Sequence, residues 1–311
     1  MKSKLAAAYG GEGWSPRVTS LREEMGTLWG DWGISSECSL LKAVLLHKPG
    51  EEIEDLPRPN EVQMLAPIDA VKMRKQHDAL AKAYMEAGVE VHYVKPATKP
   101  KPNLMFVRDL LFMTPEGAIL ARPASTVRAG EERHIAKSLA DLGVPIIRSV
   151  RGKGTFEGAD CLWLNEETVL LACGLRTNRE GADQVESTLT EMGIDVLRVE
   201  LPYGTMHLLG TVNIAGEDLA IAWPGRVPFT AIQALRERGF DVLWLPDEDE
   251  ARRMALNFVT LESKKIVMPT NCPKTKAMYK SAGVRCVEVD VSEFVKAGGG
   301  MGCLTGMLKR E

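Results

Sequence analysis

Leu110-Leu111-Phe112-Met113, Thr114-Pro115-Glu116-Gly117, Ala118-Ile119-Leu120-Ala121 reads as strand, turn, strand, with two short apolar runs joined through a Pro- and Gly-containing tetrapeptide. The polar-faced stretch that follows ends at Leu142-Gly143 and gives way to Val144-Pro145-Ile146. A glycine just past a helix occupies the left-handed C-terminal cap, so the whole segment is a β-β-α-β unit. The helix-cap-strand signature recurs at Gly88, Gly193, Gly239 and Gly283, and further hairpins precede three of them. Residues 161–164 and 168–171 turn at Asn165-Glu166-Glu167, residues 212–214 and 219–222 at Gly216-Glu217-Asp218, and residues 258–261 and 265–268 at Glu262-Ser263-Lys264. The unit before Gly88 has one strand, residues 40–47, and its missing strand has to come from the far end of the chain, from Cys303-Leu304-Thr305 onwards. Five units with the last strand closing on the first predict an α/β fold in the form of a five-bladed propeller of ββαβ units with pseudo-five-fold symmetry. A closed array leaves no open sheet edge, whereas a doubly wound sheet would show strand-helix alternation with few hairpins. The domain reading is an N-terminal extension over 1–35, holding Trp14, Trp29 and Trp32, and a single catalytic domain over 36–311.

Composition narrows the function. Apolar residues make up 45% of the 311-residue chain, enough for a continuous core, and Lys+Arg 39 against Asp+Glu 42 gives a net charge of -3. Nucleic acid and anionic membrane both call for a basic surface, so neither is expected as a partner. No apolar stretch reaches the roughly 18 residues of a membrane span. Met1 to Gly13 lacks the apolar segment of a secretory signal. The six cysteines show no C-x-x-C and no zinc-like grouping, so they are expected as reduced thiols in a cytoplasmic protein with no metal. Self-association into a homo-oligomer is left open.

In a closed array the starts of the five first strands converge on the axis. Those starts are Arg108-Asp109, Glu157-Gly158-Ala159-Asp160, His207-Leu208-Leu209, Asn257 and Cys303. A lone Asp or Asn before a strand is an ordinary turn residue. Acids, a His, an amide and a Cys at equivalent places form a site. A thiol nucleophile needs a nearby base or cation, and paired carboxylates suit a guanidinium, which is planar, always charged and forked in its donors. The run Gly298-Gly299-Gly300 with Gly302 before Cys303 admits two readings, a flexible loop or a backbone built for close approach. It is no phosphate loop, since the strand-helix setting and the Lys-Ser/Thr are missing.

With these residues assembled, the chain resembles the guanidine-modifying enzymes: arginine deiminases, dimethylarginine dimethylaminohydrolases and amidinotransferases. Pro102-Asn103-Leu104-Met105-Phe106-Val107-Arg108-Asp109 resembles their guanidinium-binding aspartate motif, and Phe156-Glu157-Gly158-Ala159-Asp160 their E-G-G-D. Met206-His207-Leu208 is similar to the catalytic His strand, Leu175-Arg176-Thr177-Asn178 to the R-T-[NST] whose Arg takes a substrate carboxylate, and Gly299-Gly300-Met301-Gly302-Cys303 to the nucleophile loop. The resemblance implies the same five-bladed fold and a C–N hydrolase of a small guanidine or amidine that needs no cofactor. Cys303 would attack, His207 and Glu157 would move protons, and Asp109, Asp160, Phe106, Arg176 and Asn257 would bind substrate. It also implies alternatives: amidino transfer to an amine, or a non-enzymatic propeller that would have lost the nucleophile and acids. Two positions depart from the pattern. Leu209 stands where deiminases place an Asp, which dimethylarginine enzymes also lack though they carry a Lys not found here, and Gly302 stands where several relatives carry Arg or His.

Overall fold

A computed structural model describes residues 13–56 and 58–311. Strands β1 (Leu41–Leu46) and β2 (Glu90–Tyr93) are joined through helix α1 (Ala70–Glu86). The second unit is β3 (Leu111–Thr114), β4 (Gly117–Leu120), α2 (Glu132–Asp141) and β5 (Ile146–Ser149). The third is β6 (Cys161–Asn165), β7 (Thr168–Cys173), α3 (Arg179–Glu191) and β8 (Asp195–Glu200), and the fourth β9 (Val212–Gly216), β10 (Leu219–Ala222), α4 (Phe229–Glu237) and β11 (Asp241–Trp244). The fifth is β12 (Val259–Glu262), β13 (Lys265–Pro269), α5 (Pro273–Ser281) and β14 (Arg285–Val289), after which β15 (Gly306–Arg310) ends the chain's regular structure. They form five three-stranded sheets, and in each the middle strand runs antiparallel to the first and parallel to the third. The strand missing from the first unit is β15, antiparallel to β1 with Leu41 opposite Arg310. This is the five-fold, propeller-like α/β array expected from the hairpins.

The repeated glycines have the geometry their position demands. Gly88, Gly143, Gly193, Gly239 and Gly283 carry φ of +81, +69, +76, +81 and +80°, where a side chain would strain the backbone. Burial grades outward through each blade: β7 is buried at every position, whereas the outer strands β2, β5 and β11 are partly exposed. The middle strands therefore read as continuous apolar runs, whereas β2, β5 and β11 are half-buried at their centres and exposed at both ends. Neighbouring blades interlock through large side chains, as where Phe112 stacks on Trp163 at 5.7 Å and the Trp163 Nε1–H donates to the Met113 carbonyl at 3.2 Å.

Closure is also polar. Arg310 donates to the Thr260 carbonyl at 2.8 Å, and Arg108 pairs with Glu37 at 2.8 Å, all buried. Burial pushes the Arg310 guanidinium down to about 10, against the pull of Glu37. Residues before β1 lie over the second blade and the closing strand. Gly30 N–H donates to the Gly143 carbonyl at 2.9 Å, the Trp32 indole to the Leu142 carbonyl at 2.8 Å, and Gly33 N–H to the Leu308 carbonyl at 3.0 Å. The reading of Met1 to Gly13 falls on residues 1–12, outside the described residues, except for Gly13. No helix among the described residues is long and apolar enough to cross a membrane.

Candidate active site

Each first strand is entered through a tight turn, and the turns pack against one another at the axis. Asp109 lies in the turn Val107–Leu110, Glu157 begins the turn Gly158–Asp160, and His207 begins the turn Leu208–Gly210. Cys303 sits in the single helical turn Met301–Leu304 that leads into β15. Gly158 makes this convergence possible: a Cβ there would stand 2.1 Å from the Leu111 carbonyl oxygen and 2.5 Å from that of Arg108. The glycines before Cys303 pack similarly. A Cβ on Gly299 would meet Phe106 at 2.3 Å, and one on Gly300 would meet Asn257 at 2.6 Å, so this run serves close approach.

Two connected cavities result. A narrow recess of about 30 Å³ is bounded by Phe106, Asp109, Arg128, Arg176, His207 and Cys303. A chamber of about 450 Å³ opens on the other side of the same Cys303 and His207 and is walled by Leu209, Trp223, Met254 and Leu256.

The charges are arranged in layers. His207 Nε2 lies 2.7 Å from Glu157 Oε2 and 4.0 Å from Asp109 Oδ1. Burial presses the imidazole toward its neutral form, but the Asp109 carboxylate and the Glu157 hydrogen bond outweigh it and raise His207 to about 9. Glu157 is fully buried, yet His207, Arg128 and Arg176 hold it well below the usual carboxylate range. Arg176 Nη1 donates to Glu157 Oε1 at 3.3 Å, and the Ala124 N–H at 3.2 Å. Arg128 spreads its donors over Asp109 Oδ2 at 2.5 Å, Glu131 Oε2 at 2.8 Å and the carbonyls of Asn103 and Phe106. Among the described residues Asp109 Oδ1 is buried with no hydrogen-bond donor, His207 Nε2 being 4.0 Å away. The Cys303 thiol is pushed up to about 11 by burial and then by the Asp109 charge. Asn257 grips Cys303 twice, its Nδ2 donating to Sγ at 3.4 Å and its Oδ1 accepting from the Cys303 N–H at 3.2 Å.

The predicted residues divide by depth. Cys303, His207, Asp109, Phe106 and Arg176 line the recess, and Asn257 lines the chamber beside Cys303. Glu157 lies one layer behind His207. Asp160 does not line either cavity. Its carboxylate accepts from the Thr177 hydroxyl at 2.6 Å and the Leu208 N–H at 3.0 Å, and burial raises it to about 6. The other cysteines are also free thiols, of which Cys38, Cys161, Cys173 and Cys272 are buried away from the cleft. Arg128 was not among the sequence candidates, and its only signal was a basic residue in the loop after β4. Asp109, Glu157 and His207 place one ligand atom each within 4.8 Å of one another, a spacing open to a metal ion. Arg128 and Arg176 already compensate the two carboxylates, so the trio suits a cationic organic group that donates hydrogen bonds better than a bare dication.

Five ββαβ units around a cleft with a thiol, an imidazole and paired acids place the chain among the guanidine-modifying enzymes. The family described as N,N dimethylarginine dimethylhydrolase, eukaryotic, matches residues 61–309, and the chain belongs to this family of C–N hydrolases acting on amidines. It is 26% identical over 240 residues to the N(G),N(G)-dimethylarginine dimethylaminohydrolase of Pseudomonas aeruginosa, covering 76% of this chain and 89% of that one. A structure of the Pseudomonas aeruginosa enzyme, a Cys-to-Ser mutant complexed with citrulline, superposes with a TM-score of 0.73 at 24% identity, covering 88% of this chain and 100% of that one. An amidinotransferase of Microseira wollei from a saxitoxin biosynthetic pathway gives 0.73 at 16% identity, covering 90% and 97%. At these identities the superpositions establish the shared fold.

Proposed function

We propose that the protein hydrolyses a C–N bond of a small guanidine through a covalent amidino-Cys303 intermediate, with residues 36–311 acting as one catalytic domain. The observation that carries this reading is the unpartnered Asp109 Oδ1, buried beside His207 in a recess that Cys303 also lines. A guanidinium N–H supplies the donor that oxygen lacks, and Arg128 is the positioning residue that fixes the other oxygen. Phe106 and Arg176 close the recess around the bound group. The positive substrate offsets the burial and the Asp109 charge that keep Cys303 protonated, so binding itself favours the thiolate.

As the cation binds, the Cys303 proton passes to solvent, and attack by the thiolate then forms the S–C bond. His207, charged before the reaction, gives its proton to the departing nitrogen, and the C–N bond breaks. Neutral His207 next takes a proton from water, whose oxygen attacks the thiouronium carbon. Collapse releases the urea-type product and the thiol sulfur. The second proton of the water passes to solvent, where the departed amine takes it up and becomes its cation. Glu157 stabilises the imidazolium at each charged stage, and Asp160 holds the Leu208 backbone behind it. Amidino transfer would follow if an amine took the place of water. The test is a panel of guanidines and amidines followed by ammonia or amine release. Wild type should turn over at least one of them, and Cys303→Ala should lose at least about 10³-fold in kcat. Near-wild-type turnover by that variant would sink the assignment.

A further inference from the structure

Arg128 is one cation among three buried carboxylates, with Asp109 at 2.5 Å, Glu131 at 2.8 Å and Glu157 at 3.8 Å. Asp109 and Glu157 have roles in the reaction described above, whereas Glu131 has none and lines neither cavity. Glu131 is 1% exposed, and only one of its carboxylate oxygens is satisfied. Oε2 accepts from Arg128 Nε, and Oε1 is buried with no hydrogen-bond donor among the described residues. A half-satisfied buried charge is destabilising where an apolar side chain of similar volume would not be. Holding Arg128 in place does not call for it either, because Arg128 Nη2 already donates to the carbonyls of Asn103 and Phe106 at 3.3 and 3.2 Å.

What the third acid changes is the charge of the cluster. Among the described residues the cluster holds four carboxylates, Asp109, Glu131, Glu157 and Asp160, and three cations, Arg128, Arg176 and His207. Arg108, behind them, is balanced by Glu37. Burial raises Glu131 to about 7, with Arg128 pulling the other way, so at pH 8 it is ionised. Asp160, raised to about 6 by burial, is ionised there too, and His207, at about 9, keeps its proton. The cluster then has one negative charge in excess, the complement of a single guanidinium. Without Glu131 the charges would be even, and Arg128 would neutralise the Asp109 carboxylate that the substrate has to meet.

We infer that Glu131 sets the charge preference of the recess: it draws on the Arg128 charge and leaves Asp109 uncompensated, so that a guanidinium is taken and its neutral ureido isostere is refused. The inference rests on the hydrolase reading above and deepens it. Glu131 is a positioning residue that acts through Arg128 and takes no part in making or breaking bonds. Its bias serves turnover as well as binding. Hydrolysis replaces the cationic amidino group by a neutral urea-type one, which the recess then holds weakly and releases.

The experiment takes the guanidine turned over fastest in the panel, with the urea of the same substituent as competitive inhibitor, at pH 8. It compares kcat, KM and the inhibitor's Ki for wild type, Glu131→Gln and Glu131→Asp, with a thermal melt of each. Gln keeps an oxygen for Arg128 Nε and loses the charge, whereas Asp keeps the charge on an arm one methylene shorter. Glu131→Gln should raise KM at least about tenfold, the reach of one charge at an effective dielectric of about 20. Its kcat should stay within about threefold of wild type, and Ki for the urea should be unchanged or lower. Glu131→Asp should bring KM back to within about threefold of wild type with Ki unchanged. A folded Gln variant with wild-type KM, or one in which KM and Ki rise together, overturns the inference and leaves the hydrolase intact. An Asp variant in which KM and Ki rise together does the same, and it decides the matter alone if Gln does not fold. No turnover of any guanidine by wild type overturns the hydrolase reading and the inference together.

Discussion

His207 and Cys303 enter the reaction in opposite resting states. The imidazole, raised to about 9, carries its proton through neutral pH, and the thiol, pushed up to about 11, keeps its own. The productive form needs the first protonated and the second ionised. Between pH 7 and 9 the thiolate fraction of free enzyme grows while the imidazolium persists, so kcat/KM for a permanently charged guanidinium should climb, up to about tenfold per pH unit, and level off as His207 loses its proton. The profile of kcat should be flatter, because the bound cation has already lowered the thiol. Initial rates from pH 6.5 to 10 check this, and a kcat/KM independent of pH between 7 and 9 contradicts it. At this scale the sequence disclosed which residue types meet but not their depth. Glu157 and Asp160 are separated only by one tight turn, and no spacing rule tells which carboxylate faces His207 and which the Leu208 backbone. Arg128 was hidden for a similar reason, because a loop residue acquires its role only when the fold carries it to Asp109.

The tight turns before the first strands are the elements on which the site depends. Gly158 lets the turn carrying Glu157 and Asp160 press onto the turn carrying Asp109, with carbonyl oxygens where a Cβ would stand. Gly158→Ala therefore forces backbone apart, at about 1–3 kcal/mol, and melting should fall by roughly 2–12 °C on a chain of this size. Activity should fall further than stability, since both carboxylates move with the turn. A calorimetric scan beside a kcat measurement decides it, and wild-type values for both would show that the turns are not in register. The hairpins and helix caps were legible because each is a local signal: alternation, turn residues, then a glycine at positive φ. The packing of Gly299 and Gly300 against Phe106 and Asn257 was not, since a glycine run looks the same in sequence whether free or compressed.

Across the whole molecule, the closing pair joins the first strand, β1, to the last, β15, and carries Cys303 to the axis. That closure was legible from one missing strand in the first unit. The chamber was not, because Leu65, Leu209, Trp223 and Met254 come from separate segments with no spacing in common, and only the departure at Leu209 hinted at it. The closed array turns five unremarkable strand starts into one site, and the claim that depends most on this is the nucleophilic role of Cys303. It is tested by incubating His207→Ala with S-methylisothiourea, whose methanethiolate leaves without needing a proton, and measuring intact and peptide mass after an acid quench. One amidino group on the peptide that contains Cys303, absent when Cys303 is also replaced by Ala, is the expected result. An unmodified Cys303, or the same mass on Cys38, Cys161 or another thiol, would contradict it.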